Sequence, residues 1–117
     1  MQANHQQLKP DEPCTCSTIP YQNLSTYREL GMDSHFAEVS VLVCQRCGQH
    51  WLRYFYDHEA FTASGRWYLG MITSEQLSIL TADQAKSRLE TLSWYYYGGS
   101  YYNGQIGQSS GTISLFP

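Results

Sequence analysis

Charged side chains are scarce in this chain, and basic ones are the scarcest. Only 15% of its 117 residues are charged, and 7 lysines and arginines stand against 10 aspartates and glutamates. A formal net charge of -3 gives little general attraction for a phosphate backbone. We therefore expect no broad affinity for nucleic acid.

The sequence also lacks a long apolar run. It contains no stretch of about 18 apolar residues that would span a bilayer. Its beginning, MQANHQQLKPDEPC, lacks the charged-then-apolar pattern of a secretory signal. These absences predict a cytoplasmic protein with no membrane partner.

Motifs for catalysis are missing as well. The chain has no HExxH, no nucleophile elbow and no phosphate-binding GxxxxGKS/T. His58 and Glu59 are adjacent, but neighbours on a strand point to opposite faces. Asp57 and Glu59 in a polar turn are typical of solvated charge. We expect no enzyme activity and assign no catalytic residue.

Length and composition indicate one domain. The chain is long enough for one core and too short for two ordinary domains, and 42% of its residues are hydrophobic. Residues 1–13 are polar, carry Pro10 and Pro13, and show no hydrophobic periodicity, which predicts a tail. Residues 14–117 are predicted to be a single domain.

Four cysteines fall in two close pairs. In a reducing compartment disulfides are disfavoured, so such pairs are expected to be metal ligands or redox groups rather than disulfides. Four thiolates suit tetrahedral Zn²⁺, and a closed shell without a water position contributes to folding rather than to catalysis. We predict one structural Zn²⁺ that stabilises the domain, with the ligands Cys14, Cys16, Cys44 and Cys47.

Other fates for these cysteines stay open. They include disulfides, buried thiols without metal, and a redox pair, although a redox CxxC usually opens a helix. Histidine can also replace one cysteine as a ligand. His50 lies nearest to the second pair, with His5 and His58 further away, and a surface position is expected for each.

The segment CQRCG, from Cys44 to Gly48, resembles the zinc knuckles of zinc-ribbon and treble-clef proteins. The resemblance implies a tight turn that aims backbone amides at sulfur, with a glycine that permits the sharp return. The first pair, CTC, departs from the zinc-ribbon pattern because it has one intervening residue where two are usual.

Three antiparallel strands are predicted: HFAEVSVLVC from its alternation and β-branched content, HWLRYFYDH as an aromatic-rich strand that pairs back on it, and GRWYLGMIT, which Gly65 opens. The second cysteine pair then lies at a hairpin tip. The segment WLRYFY has large apolar residues on both faces, and we expect both to be covered. The segment LSTYRELGM is expected to be a short helix, and residues 112–116 a last strand.

Two capping boxes predict one or two C-terminal helices. Thr73 and Thr81 are each followed three residues later by a glutamine. The second helix is expected to continue to Gly98, with an inward stripe of Ala85, Leu89, Leu92 and Tyr96. The predicted fold class is α+β: a small antiparallel β-meander with a zinc knuckle at a hairpin tip, packed by these helices.

Aromatic residues make up 15% of the chain and concentrate after Trp94. A tyrosine-rich segment with Gly, Ser and Asn offers rigid contacts and adaptable hydrogen bonds. We predict that the partner-binding residues are Tyr97, Tyr101, Tyr102 and Asn103. The alternative is that these rings pack into the core.

Two function classes follow. The first is a protein-binding module or inhibitor with an unidentified protein partner, and the GGSYYNG-like ending vaguely resembles small bacterial proteins, some of them immunity proteins that neutralise toxins. The second is a nucleic-acid-binding zinc ribbon that stacks bases on Tyr54, Phe55 and Tyr56. Only Arg46, Arg53 and Arg66 would supply cations there, so charge favours the first class.

Overall fold

A six-stranded antiparallel sheet forms the body of the protein. The computed structural model describes residues 24–58 and 61–115. Each strand pairs with the next along the chain. The strands are β1 (Leu24–Met32), β2 (Glu38–Cys44), β3 (His50–Tyr56), β4 (Arg66–Ile72), β5 (Tyr95–Gly98) and β6 (Gly107–Ser109), and two helices, α1 (Ser74–Ile79) and α2 (Ala85–Glu90), lie between β4 and β5. The predicted α+β class is confirmed.

The three central strands lie in the segments predicted for them. In β3, Leu52 pairs with Val41 of β2 on one side and with Gly70 of β4 on the other. Trp51 and Leu52 point to opposite faces, and neither exposes any surface. Both faces of this strand are therefore covered at its centre, while Phe55 and Tyr56 toward its end are half-buried.

Each face of the sheet carries its own apolar cluster. On the helix side, Leu77, Ala85 and Leu89 pack against Leu52 and Tyr54. The opposite face buries aromatic and aliphatic side chains of β2 to β5, namely Leu42, Cys44, Trp51, Trp67, Leu69 and Tyr96.

Both capping boxes form. The Thr73 hydroxyl accepts the Gln76 amide at 3.2 Å, and the Gln76 side chain accepts the Thr73 amide at 2.8 Å, which begins α1 as predicted. The second box begins a 3₁₀ turn at Ala82–Gln84 that leads directly into α2.

Helix α2 is shorter than predicted. It ends at Glu90, and Tyr95–Gly98 is a strand whose Tyr96 pairs with Leu69. Ala85 and Leu89 lie in the helix-side core, as expected for the inward stripe. Tyr96 instead lies in the cluster on the other face. The aromatic run favours an extended backbone, and pairing with β4 satisfies its amides and carbonyls.

The segment LSTYRELGM is strand β1, so the predicted helix is wrong. It pairs with β2 along its whole length, with register shifts between Thr26 and Arg28 and between Glu29 and Gly31. At each shift the alternation of side chains between the two faces of the strand is interrupted. The apolar residues of β1 therefore do not alternate cleanly, which hides the strand from a search for period two.

The last strand also differs from the prediction. It is β6, and the described part of the predicted strand, residues 112–115, adopts no regular structure. Ile113 is nevertheless buried, and its amide donates to Glu90 Oε2 at 2.8 Å. Residue 116 and the predicted tail at 1–13 lie outside the described residues.

Antiparallel pairing of consecutive strands sorts the connections between two ends of the sheet. The β1–β2, β3–β4 and β5–β6 connections share one end, which we call the loop end; its described residues are 33–37, 57–58, 61–65 and 99–106. The β2–β3 turn, which carries the second cysteine pair, lies at the other end. The cysteine turn and the tyrosine-rich loop are thus separated by the length of the strands.

A buried carboxylate builds the β1–β2 turn. The Asp33 side chain accepts the amides of His35 and Ala37, each at 2.9 Å, and the hydroxyl of Tyr54. Burial alone raises the pKa of this carboxyl, but the hydrogen bonds from Tyr54, Ala37 and His35 outweigh it and hold the pKa below its usual value. Asp33 therefore remains ionised and ties the turn to β3.

We expect Asp33→Asn to lower the free energy of unfolding at pH 7 by about 1.5–3 kcal/mol, because hydrogen bonds to a charged acceptor are lost. Because folding lowers the pKa of Asp33, the extra stability of the wild type over Asp33→Asn is fully present above the ordinary Asp pKa of about 3.9. It is lost as the pH falls through the pKa of Asp33 in the folded state. Urea unfolding at about pH 7 and about pH 3 measures this.

Glu75→Gln is the matched control, since Glu75 is exposed on α1. It should change the free energy of unfolding by less than about 0.5 kcal/mol. If the difference in free energy of unfolding between the wild type and Asp33→Asn is as large at about pH 3 as at about pH 7, the role of an ionised Asp33 is contradicted.

Candidate functional site

The β2–β3 turn places two cysteines at a hairpin tip, as predicted. Cys44 is the last residue of β2 and is buried, and Cys47 is exposed in the turn. The Cys44 carbonyl accepts the Gly48 amide at 2.9 Å, and the Cys44 amide donates to the Gln49 carbonyl at 2.9 Å. Gly48 has φ +79°, which suits a residue without Cβ.

This turn holds two of the four predicted zinc ligands within four residues, and a glycine in the left-handed region follows the second. Cys14 and Cys16 lie outside the described residues. Among residues 24–58 and 61–115, no group of three or more His, Cys, Asp or Glu side chains could hold a metal ion. The four-cysteine site stays a prediction.

The histidine nearest to this turn is the first residue of β3. The His50 ring packs edge-on against Tyr27, with centroids 4.8 Å apart. His58 lies at the other end of the sheet, where its ring contacts Phe61 at 4.7 Å. Because β3 separates His58 from the cysteine turn, His58 is not positioned to replace a cysteine there.

At the loop end, two of the three connections are hydrogen-bonded to each other. The Gly65 carbonyl accepts the Tyr101 amide at 2.8 Å, and the Gly65 amide donates to the Ser100 hydroxyl at 3.1 Å. A Cβ added at Gly99 would lie 2.5 Å from the Gly65 carbonyl oxygen, and Gly99 has φ +113°. Only glycine allows the β5–β6 loop to approach the β3–β4 loop so closely.

The buried Arg66 side chain connects several segments at the loop end. It is fully buried, and its guanidinium lies 3.7 Å from the Tyr101 ring centroid and 5.5 Å from that of Tyr56. Nε donates to the Ser64 carbonyl at 3.0 Å and Nη1 to the Ser114 carbonyl at 3.3 Å. One side chain thus joins β3, the β3–β4 loop, the β5–β6 loop and the C-terminal segment.

The predicted partner-binding residues all lie at this end, but Tyr97 is on strand β5 rather than at the end of α2, and Tyr101 and Tyr102 are in a short 3₁₀ turn, Ser100–Tyr102. Tyr97 is half-buried on β5, and Tyr102 is half-buried with its ring 4.4 Å from that of Tyr97. Tyr101 is 37% exposed, and Asn103 is exposed with φ +58°. The structure brings the four residues together, with two of them partly within the core.

Two exposed aromatics at the loop end were missed by the sequence analysis. Phe36 in the β1–β2 turn is 77% exposed and has φ +65°, and Phe61 is about half exposed. The predicted strand HFAEVSVLVC includes Phe36, whereas β2 begins at Glu38 and Phe36 lies in the turn before it. Alternation does not reveal its exposure, because the odd-numbered Val41 and the even-numbered Leu42 of β2 are both buried.

The arginines proposed for nucleic-acid contact are dispersed. Arg46 is half-buried in the cysteine turn, Arg53 lies 5.2 Å above the Phe55 ring on β3, and Arg66 is buried at the loop end. Of the three residues proposed for base stacking, Tyr54 is fully buried. These positions do not form the cationic groove with open rings that single-stranded nucleic acid needs.

No family model, curated protein or solved structure matches this chain. Within the described part of the chain, no helix has the length and apolar character needed to cross a bilayer. The function must therefore be argued from the residues of the two ends of the sheet.

Proposed function

We propose that this chain is a protein-binding module or inhibitor that contacts its partner through the loop end, while a structural Zn²⁺ stabilises the opposite end. The observation that carries the proposal is Phe36. A left-handed backbone costs a residue with Cβ roughly 1–2 kcal/mol, and an exposed phenyl ring forgoes the gain of burial. Such strain at an exposed aromatic is typical of a binding site.

The turn around Phe36 is rigid, which suits an anchor. The Phe36 amide donates to the Asp33 carbonyl at 3.0 Å, and the Asp33 amide donates to the Ala37 carbonyl at 3.1 Å. The Asp33 side chain stabilises the same turn by accepting the amides of His35 and Ala37. A side chain presented by an ordered turn loses little entropy on binding, and buried aromatic anchors commonly supply most of the binding energy.

The rest of the loop end offers further contacts of the same kind. Phe61 and Tyr101 are exposed aromatics, and Asn103 adds a flexible polar group. Three connections at one end of a sheet resemble, as an analogy only, the binding loops of antibody domains. The low positive charge and dispersed arginines favour a protein partner over nucleic acid.

At the opposite end, Cys44 and Cys47 would hold Zn²⁺ together with Cys14 and Cys16. Bound there, the ion would join residues 14–16 to the β2–β3 hairpin and contribute to folding. The strand length between the two ends leaves the loop end free of the metal. Zinc would therefore affect partner binding only through the stability of the fold.

We expect one equivalent of zinc per chain after expression with zinc available, measured by elemental analysis. Cys44→Ser should lower the zinc content and cost several kcal/mol of stability, because metal binding is linked to folding. Gln45→Ala, in the same turn but with all four thiols intact, should keep its zinc. Less than half an equivalent in the wild type, or a disulfide between any two cysteines, would contradict the site.

Phe36→Gly tests the loop end. Glycine relieves the left-handed strain, so the free energy of unfolding should stay unchanged or rise by up to about 1 kcal/mol. Capture of the partner should fall at least tenfold, because the anchor is gone. Partners are identified by in-cell cross-linking of the wild type, and each affinity is then measured with purified proteins.

Tyr27→Ser is the matched control, since Tyr27 is a 53% exposed aromatic on β1 that packs against His50, near the cysteine turn. It should retain the partner. If Phe36→Gly and Tyr27→Ser capture the same proteins as the wild type, the loop end is not the binding surface. A marked loss of stability in Phe36→Gly would instead assign Phe36 to packing.

A further inference from the structure

A cavity beside strands β4 to β6, which reaches the loop end at Tyr101 and Tyr102, has walls made almost entirely of hydroxyl-bearing side chains. Its volume is about 350 Å³, and eight of its nine lining residues carry a hydroxyl group, with Ile113 as the exception. Three of the eight are Ser109, Thr112 and Ser114. The other five are tyrosines: Tyr68, Tyr95, Tyr97, Tyr101 and Tyr102.

The cavity is built on rigid parts of the fold. Tyr68 and Tyr95 are buried, and their rings meet edge to face at 5.9 Å. Tyr97 and Tyr102 stand beside them with centroids 4.4 Å apart. The Arg66 guanidinium supports Tyr101 from behind. Rings held by such contacts present fixed faces to a ligand.

The hydrogen bonds inside the cavity leave capacity for a ligand. The hydroxyls of Tyr68 and Tyr102 are 2.9 Å apart and share one hydrogen bond, so one of their two O–H hydrogens is left over. The Tyr95 hydroxyl donates to the Gly111 carbonyl at 2.9 Å and is also hydrogen-bonded to the Ser109 side chain, and because a phenol oxygen has two lone pairs, one acceptor position is left. The walls therefore offer donors and acceptors together.

The walls of the cavity supply no charged partner for an ionic ligand. The nearby Arg66 guanidinium lies on the Tyr101 ring. The Glu90 carboxylate, which accepts the amide of the lining residue Ile113 at 2.8 Å, is paired with Lys86 Nζ at 2.8 Å and so presents no unbalanced charge. No lining residue is itself charged.

We propose that this cavity binds a neutral saccharide. A sugar ring carries hydroxyls at its rim, which both donate and accept hydrogen bonds, and C–H groups on its faces, which pack against aromatic rings. The volume lies at the lower end of the range for ligand pockets, roughly 300–1,000 Å³, so it suits one sugar unit. The inference does not rest on a protein partner, since it concerns the isolated chain.

The test uses purified wild-type protein and the methyl glycosides of glucose, galactose, mannose and N-acetylglucosamine, followed by ligand-observed NMR and by tyrosine fluorescence. We expect saturable binding of at least one of them with a Kd in the millimolar range or tighter. A uronic acid and an amino sugar with the same ring should bind at least about tenfold more weakly, because no lining residue carries a charge that would compensate for the hydration their ionic group loses.

Tyr102→Phe keeps the ring and removes one of the paired hydroxyls, and it should weaken the binding about fivefold or more. Tyr27→Phe removes an exposed hydroxyl outside this cavity and should leave the affinity unchanged. The same sugar on a monovalent glycopeptide is titrated in parallel. Tighter binding of the glycopeptide assigns a glycoprotein as the source, and equal binding assigns a free sugar.

The proposal is overturned if no neutral glycoside binds saturably up to about 50 mM, if charged sugars bind as well as neutral ones, or if folded Tyr102→Phe binds like the wild type. Should Tyr102→Phe fail to fold, NMR shifts of the wild type on titration decide. Changes at Tyr68, Tyr95 and Ile113 support the cavity, and changes confined elsewhere reject it. None of these outcomes depends on capture of a protein through Phe36.

Discussion

Close packing of helix α2 over Gly70 is the constraint on which the central sheet depends. A Cβ at this position would lie 2.4 Å from Leu92 Cδ1 and 2.7 Å from Leu89 Cδ2, so the missing side chain makes the space that these leucines fill. Gly70 pairs with Leu52, which is buried beneath the same helix. Because the sheet is apolar on both faces, hydrophobicity alone does not set the register of β4, whereas this contact between its glycine and the two leucines does.

Once that register is set, the meander divides the molecule into two ends with different chemistry. The cysteine turn follows β2 at one end, and Phe36, Phe61 and Tyr101 lie in connections at the other. Antiparallel connectivity alone produces this separation, because every second connection returns to the same end. A metal site can therefore strengthen one end of the sheet while the loops at the other end present side chains to a ligand.

The sequence predicted the parts of the fold in which local pattern and tertiary environment agree. Strands β2 to β4 are rich in β-branched and aromatic residues, and Thr73 caps α1 with an ordinary side-chain hydrogen bond. Strand β1 was missed because its two register shifts break the alternation, and Tyr96 was placed on a helix because Leu89, Leu92 and Tyr96 have helical spacing. The segment that contains Tyr96 is a strand instead, because β5 pairs with β4. The exposure of Phe36 could not be predicted from alternation, because it follows from the turn that Asp33 builds.

The strand conformation of Tyr95–Gly98 also determines what the tyrosine-rich segment can do. Alternation sends Tyr96 to the cluster around Trp51, while Tyr95 and Tyr97 point to the helix side and become walls of the cavity. A helix would instead have spread these three rings over different directions. Arg66 completes the arrangement, because its buried guanidinium holds Tyr101 on the adjoining loop and the Ser114 carbonyl of the C-terminal segment. The loop end is thus ordered by the core before any ligand arrives, which reduces the entropy that binding must overcome.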